Sequence, residues 1–241
     1  MHTERMMFWQ RKRPAAHVLS DLGELYHSYA FFGVDNGQLP GMYAPNQKAK
    51  APVLVAYIAY AVAKSMRDND RSVSFTELFC ADGFYAMVAA RLGCKPSVGI
   101  DNDRDNHFGK AALIASRLGL SDVIFEKREI TPTSTFSPTD IVANVGGLYH
   151  VEQPEEILDL SYRMANQYLI VQSVVSLATE DDQYFEAPAP GWTWGNRFSR
   201  QSFDKMIQRH GYKVIDQHFN VLEGNNRPED RGSVYYLIKV E

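Results

Sequence analysis

The chain predicts an α/β fold: an open, mostly parallel sheet with helices on both faces and an antiparallel hairpin at its C-terminal end. Three observations carry this. From residue 72 onward, short β-rich apolar runs alternate with amphipathic helical stretches, the pattern of right-handed crossovers between parallel strands. Glycines stand just past two of the predicted helices, at Gly93 and Gly119, where a left-handed cap is needed. The last two apolar runs, YKVIDQHFNVL and SVYYLIKVE, are separated by a polar turn and no helix, which suits a hairpin.

Taken in order, the first fifty residues are loop-rich and punctuated by Gly33, Gly37, Pro40, Gly41 and Pro45. They are expected to form a segment that folds over the site as a lid, with residues 51–241 as the main domain. A helix is expected from about Pro52, because proline suits a first helical turn, to about Met66. Then come strand SVSFTELFC, helix FYAMVAARLG, strand SVGID, helix RDNHFGKAALIASRLG and strand DVIFEKREI. Strand TDIVANVG, helix PEEILDLSYRMANQ and strand YLIVQSVVS follow. A loop rich in Trp and Pro leads to a helix with Ser199 as N-cap, and the hairpin closes the chain.

At 241 residues the chain can bury a sizeable core. Its 25 basic and 29 acidic residues leave a net charge of −4, with no overall pull towards nucleic acid or anionic membrane. The run Arg11 to Arg13 is read as solvated. Cys80 and Cys94 lack metal-type spacing, so no metal site is expected and a reducing compartment is. The N-terminus shows no signal-type apolar region, and Val53 to Ala63 is too short to span a bilayer. The expectation is a cytoplasmic protein.

The stretch TELFCADGFYAM, residues 76–87, carries the chemistry. It is the first strand-to-helix joint, and in an open α/β sheet ligands bind at the carboxyl ends of the strands. A dinucleotide pyrophosphate requires close backbone approach and several glycines. Phe79 and Ala81 stand where those glycines would be, and Gly83 alone remains. A sulfonium cofactor has no phosphate to cradle and welcomes the acidic Glu77 and Asp82. Asp101 follows about 20 residues later, where an acidic side chain takes a ribose diol.

On these residues the region from 72 to 241 resembles the class I S-adenosylmethionine-dependent methyltransferases, which have a Rossmann-like fold. The family motif D/E-x-G-x-G-x-G is matched by Glu77 to Gly83. The resemblance implies that Glu77 fixes the methionine amino group through the loop and that Gly83 admits the methionine carboxylate. It further implies that Asp101 binds the ribose hydroxyls, that Glu129 and Ile130 flank the adenine, and that Asn102 and Asn144 join the cofactor set. NVGGLYHVEQP is similar to a segment of the carboxymethyltransferases that act on tRNA wobble uridine.

His150, at the end of GGLYH, is the candidate general base; the alternative is a histidine that caps the next helix or orients a loop. Tyr43, Tyr149, Trp192, Trp194 and Arg197 are the candidate substrate contacts. The expected reaction is O-methylation of a small-molecule or glycan-type hydroxyl with S-adenosyl-L-methionine. Transfer of methyl or carboxymethyl to a tRNA uridine, the latter from carboxy-S-adenosyl-L-methionine, is the alternative within enzymes. A non-catalytic module with an eroded loop is the alternative outside them.

Overall fold

A computed structural model describes residues 15–69 and 71–241. The basic run at residues 11–13 lies outside the described residues. The elements are α1 (Tyr43–Asp68), β1 (Phe75–Leu78), α2 (Phe84–Arg91), β2 (Ser97–Asp101), α3 (Ala111–Arg117), β3 (Val123–Lys127) and β4 (Thr139–Val145). Then follow α4 (Pro154–Met164), β5 (Ala165–Val175), the two-residue strands β6 (Phe185–Glu186) and β7 (Arg197–Phe198), α5 (Arg200–Arg209), β8 (Lys213–Val221) and β9 (Gly232–Lys239).

Seven strands form one sheet in the order β3-β2-β1-β4-β5-β9-β8. The first five of these neighbours pair in parallel, whereas β9 runs antiparallel to both β5 and β8. Strand β1 is therefore the pivot: β2 and β3 extend the sheet on one side of it, and β4 and β5 on the other. The carboxyl ends of β1 and β4 make the switch point where such sheets open a crevice.

Alternation along the strands builds two cores. Ile141, Ala143, Ile170, Tyr235 and Leu237 pack with α1, α2 and α3, while Val142, Leu169, Val171, Val234 and Tyr236 pack with α4 and α5. Ser199 caps α5 as expected, accepting a hydrogen bond from the Ser202 N–H at 3.0 Å. Gly119, just past α3, has a φ of 69°, as a left-handed cap requires.

Several boundaries differ from the sequence reading. Helix α1 begins at Tyr43, so Pro45 rather than Pro52 occupies its first turn, where a missing N–H costs nothing. Pro52 sits inside the helix, and the division expected at residue 50 falls within it. The third strand stops at Lys127, leaving Glu129 and Ile130 in the loop beyond it. Residues 165–167, read as helix, already belong to β5, because the chain turns from α4 into the strand with no loop.

Candidate active site

A cavity of about 1020 Å³ opens over the carboxyl ends of the parallel strands. The loop after β1 forms its floor, and its conformation answers the question of the missing glycines. Phe79 and Ala81 adopt positive φ, at 60° and 48°, the left-handed region that glycine enters freely and other residues enter at a cost. The loop thus keeps a glycine-type path without the glycines. Bulk at Phe79 is accommodated elsewhere: a Cβ on Gly147, after β4, would lie 1.9 Å from the Phe79 ring.

Glu77 lines the cavity from β1, is 1% exposed, and accepts the N–H of Ala86 in α2 at 2.7 Å. Burial pushes its carboxyl well above the usual range, and the nearby charges of Asp82 and Asp101 push the same way. No cation pairs with it among the described residues. Asp101, at the end of β2, accepts the N–H of Ala81 at 2.9 Å and that of Asp103 at 2.7 Å. Each of its oxygens keeps a second lone pair for a ligand hydroxyl. Asn102, Glu129 and Ile130 line the cavity beside it, with Asn102 Nδ2 donating to Glu129 at 3.1 Å.

Three expected cofactor residues do not line the cavity. Asp82 is 1% exposed and does not line the cavity; its carboxylate accepts the backbone N–H of His27 at 2.9 Å and meets His27 Nδ1 at 2.5 Å. It fastens the N-terminal segment, helped by a hydrogen bond from the Tyr29 hydroxyl to its carbonyl. Gly83, with a φ of 81°, makes room for Phe125, whose ring would lie 2.2 Å from a Cβ there. Asn144 points to the opposite face because of strand alternation, and its Nδ2 donates to Ser161 on α4 at 2.9 Å.

His150, Tyr149, Tyr43, Trp192, Trp194 and Arg197 all line the cavity. His150 stacks on Trp194, with ring centroids 5.0 Å apart and planes 20° from parallel. Its Nδ1 lies 3.2 Å from Arg104 Nη2. A guanidinium only donates, so Nδ1 accepts and the proton of the neutral ring sits on Nε2. Burial, reinforced by the Arg104 charge, holds the imidazole down at about 3. His150 is thus a neutral ring at the cavity whose Nδ1 is already engaged by Arg104. Arg197 is 4% exposed and engaged with Asp230 at 2.6 Å, so it braces the tryptophan loop.

Sequence reasoning found Tyr43 but missed the rest of the contribution of α1. Tyr43, Asn46, Gln47 and Lys50 line the cavity at the i, i+3, i+4, i+7 spacing of one helical face. Farther along, Leu54, Tyr57, Ile58, Ala61, Val62 and Ser65 are buried. One stripe therefore changes from polar to apolar where the helix passes from cavity to core. The spacing was present in YAPNQKAK, but the Pro52 start hid it. Tyr26 and His107 were also missed; they pack together with Tyr43, at centroid separations of 4.8 to 6.3 Å. Gln172, fully buried in β5, lines the cavity with Nε2 donated to Ser233 and Oε1 unpartnered.

No protein-family model matches the chain, and no curated protein matches it. Solved structures do. Magnesium protoporphyrin IX methyltransferase from Synechocystis with bound S-adenosylhomocysteine is 13% identical at a TM-score of 0.63, covering 85% of this chain and 90% of that one. The N-terminal domain of EvdMO1, in the presence of S-adenosylhomocysteine and D-fucose, is 16% identical at 0.59, covering 92% and 93%. The [4+2]-cyclase SpnF is also 16% identical at 0.59, covering 78% and 79%. At such identities the likeness speaks for architecture. The chain has the Rossmann-like fold of the class I S-adenosylmethionine-dependent methyltransferases.

Proposed function

We propose that the chain is an S-adenosylmethionine-dependent methyltransferase that acts on an oxygen of a small-molecule hydroxyl. The observation that carries this reading is the desolvated, cation-free carboxyl of Glu77, facing the switch-point cavity together with Asp101. A carboxyl whose charged form is disfavoured by burial and by neighbouring acids gains most from a ligand with positive charge, such as an α-ammonium or a sulfonium. The unpartnered Oε1 of Gln172 offers a buried acceptor in the same wall. These residues fit the cofactor: Glu77 and the loop from Phe79 to Ala81 would hold its amino acid end. Asp101 and Asn102 would hold the ribose, with Glu129 and Ile130 beside the adenine.

When bound, the cofactor supplies a methyl carbon made electrophilic by the attached sulfonium. The chain itself contributes position and exclusion of water. With His150 held as a donor, His107 is the cavity histidine whose ring nitrogens carry no hydrogen bond among the described residues, and we assign it the hydroxyl proton. Changing His107→Gln should lower kcat by about 100-fold or more, the usual scale for a general base, with cofactor affinity retained.

Titration calorimetry with S-adenosylhomocysteine, alongside native mass spectrometry of freshly purified protein, tests the cofactor. Binding at a ratio of one per chain supports the reading. A chain that stays empty returns the eroded-loop module to the front. A co-purified adduct heavier by one carboxyl group would redirect it to carboxymethyl transfer, and with it to tRNA.

A further inference from the structure

Three arginines line the cavity, and each is already paired. Arg104 meets Asp105 at 2.9 Å, Arg197 meets Asp230 at 2.6 Å, and Arg227 lies 3.7 Å from both Glu229 and Asp230. Lys50 also lines the cavity, at the cavity-core transition of the α1 stripe, and it has no hydrogen-bond or ion-pair partner among the described residues. A half-buried cation without a partner favours a ligand that supplies the missing charge. The same cavity has an aromatic stretch in its lining. Trp192 is 41% exposed at the cavity and lies 5.1 Å from Trp194, and Tyr149 packs against His150 at 4.2 Å.

We infer that the acceptor is a planar aromatic acid, whose carboxylate pairs with Lys50 while its ring lies against Trp192, the exposed ring of the aromatic lining. This deepens the proposed function and rests on it. Lys50 here is a specificity residue: it selects the acceptor and anchors it, leaving a hydroxyl elsewhere on the ring to receive the methyl group. Burial lowers the Lys50 ammonium to about 8, so it is charged at neutral pH and loses its charge as pH rises above that value. A bound carboxylate favours the charged form and shifts that loss upward.

The test compares 4-hydroxybenzoate with 4-hydroxybenzamide, which share shape and differ in charge. Binding of each is measured by calorimetry to the full chain, with and without S-adenosylhomocysteine. At pH 7 the acid should bind at least tenfold more tightly than the amide. The preference should shrink between pH 8 and 10, vanish in Lys50→Met and persist in Lys50→Arg, with thermal melting confirming that both variants fold. Equal affinity for acid and amide, or no binding of either, overturns the inference. So does a Lys50→Met variant that loses S-adenosylhomocysteine instead, since the cation would then serve the cofactor carboxylate. Failure of S-adenosylhomocysteine to bind the unaltered chain counts against the methyltransferase reading, and the acid-amide comparison without it separates the two.

Discussion

At the scale of single residues, the loop after β1 stores strain in plain view. Ala81 sits at a φ of 48°, where an L-residue pays about 1–2 kcal/mol and glycine does not. Glycine returns part of that through its larger unfolded-state entropy, about 0.5–1 kcal/mol. Ala81→Gly should therefore stabilise the chain by about 0.5–1 kcal/mol, read from urea unfolding; a less stable variant would show that the loop is not strained. His150 makes a second residue-scale prediction. Its folded value of about 3 lies below the unfolded value of about 6.5. Below pH 6.5 the unfolded chain takes up a proton that the folded chain refuses, so stability drops as pH falls towards 3. His150→Gln should lose stability less steeply than the unaltered chain between pH 6.5 and 4, and identical slopes would contradict the assigned burial.

Among the elements, α1 and the segment before it decide how the cavity is closed. Residues 15–42 carry Leu19, Leu25, Tyr29 and Phe32 into the core shared with α2. The polar tie is Asp82, joined to His27 through backbone and ring, with the His27 ring stacked on Phe84 at 5.0 Å. Asp82→Ala removes both acceptors at once and leaves the buried His27 N–H unsatisfied, a loss of about 1–3 kcal/mol. Hydrogen exchange should then accelerate in residues 15–42 and remain slow in β4 and β5. Uniform acceleration would mean that the segment is part of the global fold rather than a separately opening cover. The same geometry explains why Asp82 is a poor guide to the cofactor: its charge is already spent on the chain.

For the whole molecule, the sheet order places the ends of β1, β2 and β4 around one cavity, so ligand binding should report on global stability. A ligand that binds the folded state at 100 times its dissociation constant adds about 2.7 kcal/mol. S-adenosylhomocysteine at that excess should raise the urea midpoint accordingly, and NADH should not. A shift with NADH instead would put the loop back among the dinucleotide sites. Among the described residues, no helix is long and apolar enough to cross a membrane, and no group of three or more His, Cys, Asp and Glu side chains is placed to hold a metal ion.

The sequence by itself determined the order of strands and helices, the hairpin that closes the sheet, and the place of the ligand crevice. Those are local properties: residue periodicity and glycine position follow from backbone sterics over a few residues. Glu77, Asp101 and Tyr149, expected from strand ends, Glu129, expected from the family resemblance, and Trp194, expected from the loop after the fifth strand, all line the cavity. The tertiary structure alone decided which side chains remain free there. Asp82, Arg197 and His150 are of suitable type and position, yet His27, Asp230 and Arg104 claim them from 55, 33 and 46 residues away. Lys50 is proposed as a specificity residue for the opposite reason, since no group among the described residues pairs with it. Hydrogen bonds and ion pairs are short-range in space and indifferent to separation along the chain, so only the folded packing reveals which polar groups are left to meet a ligand.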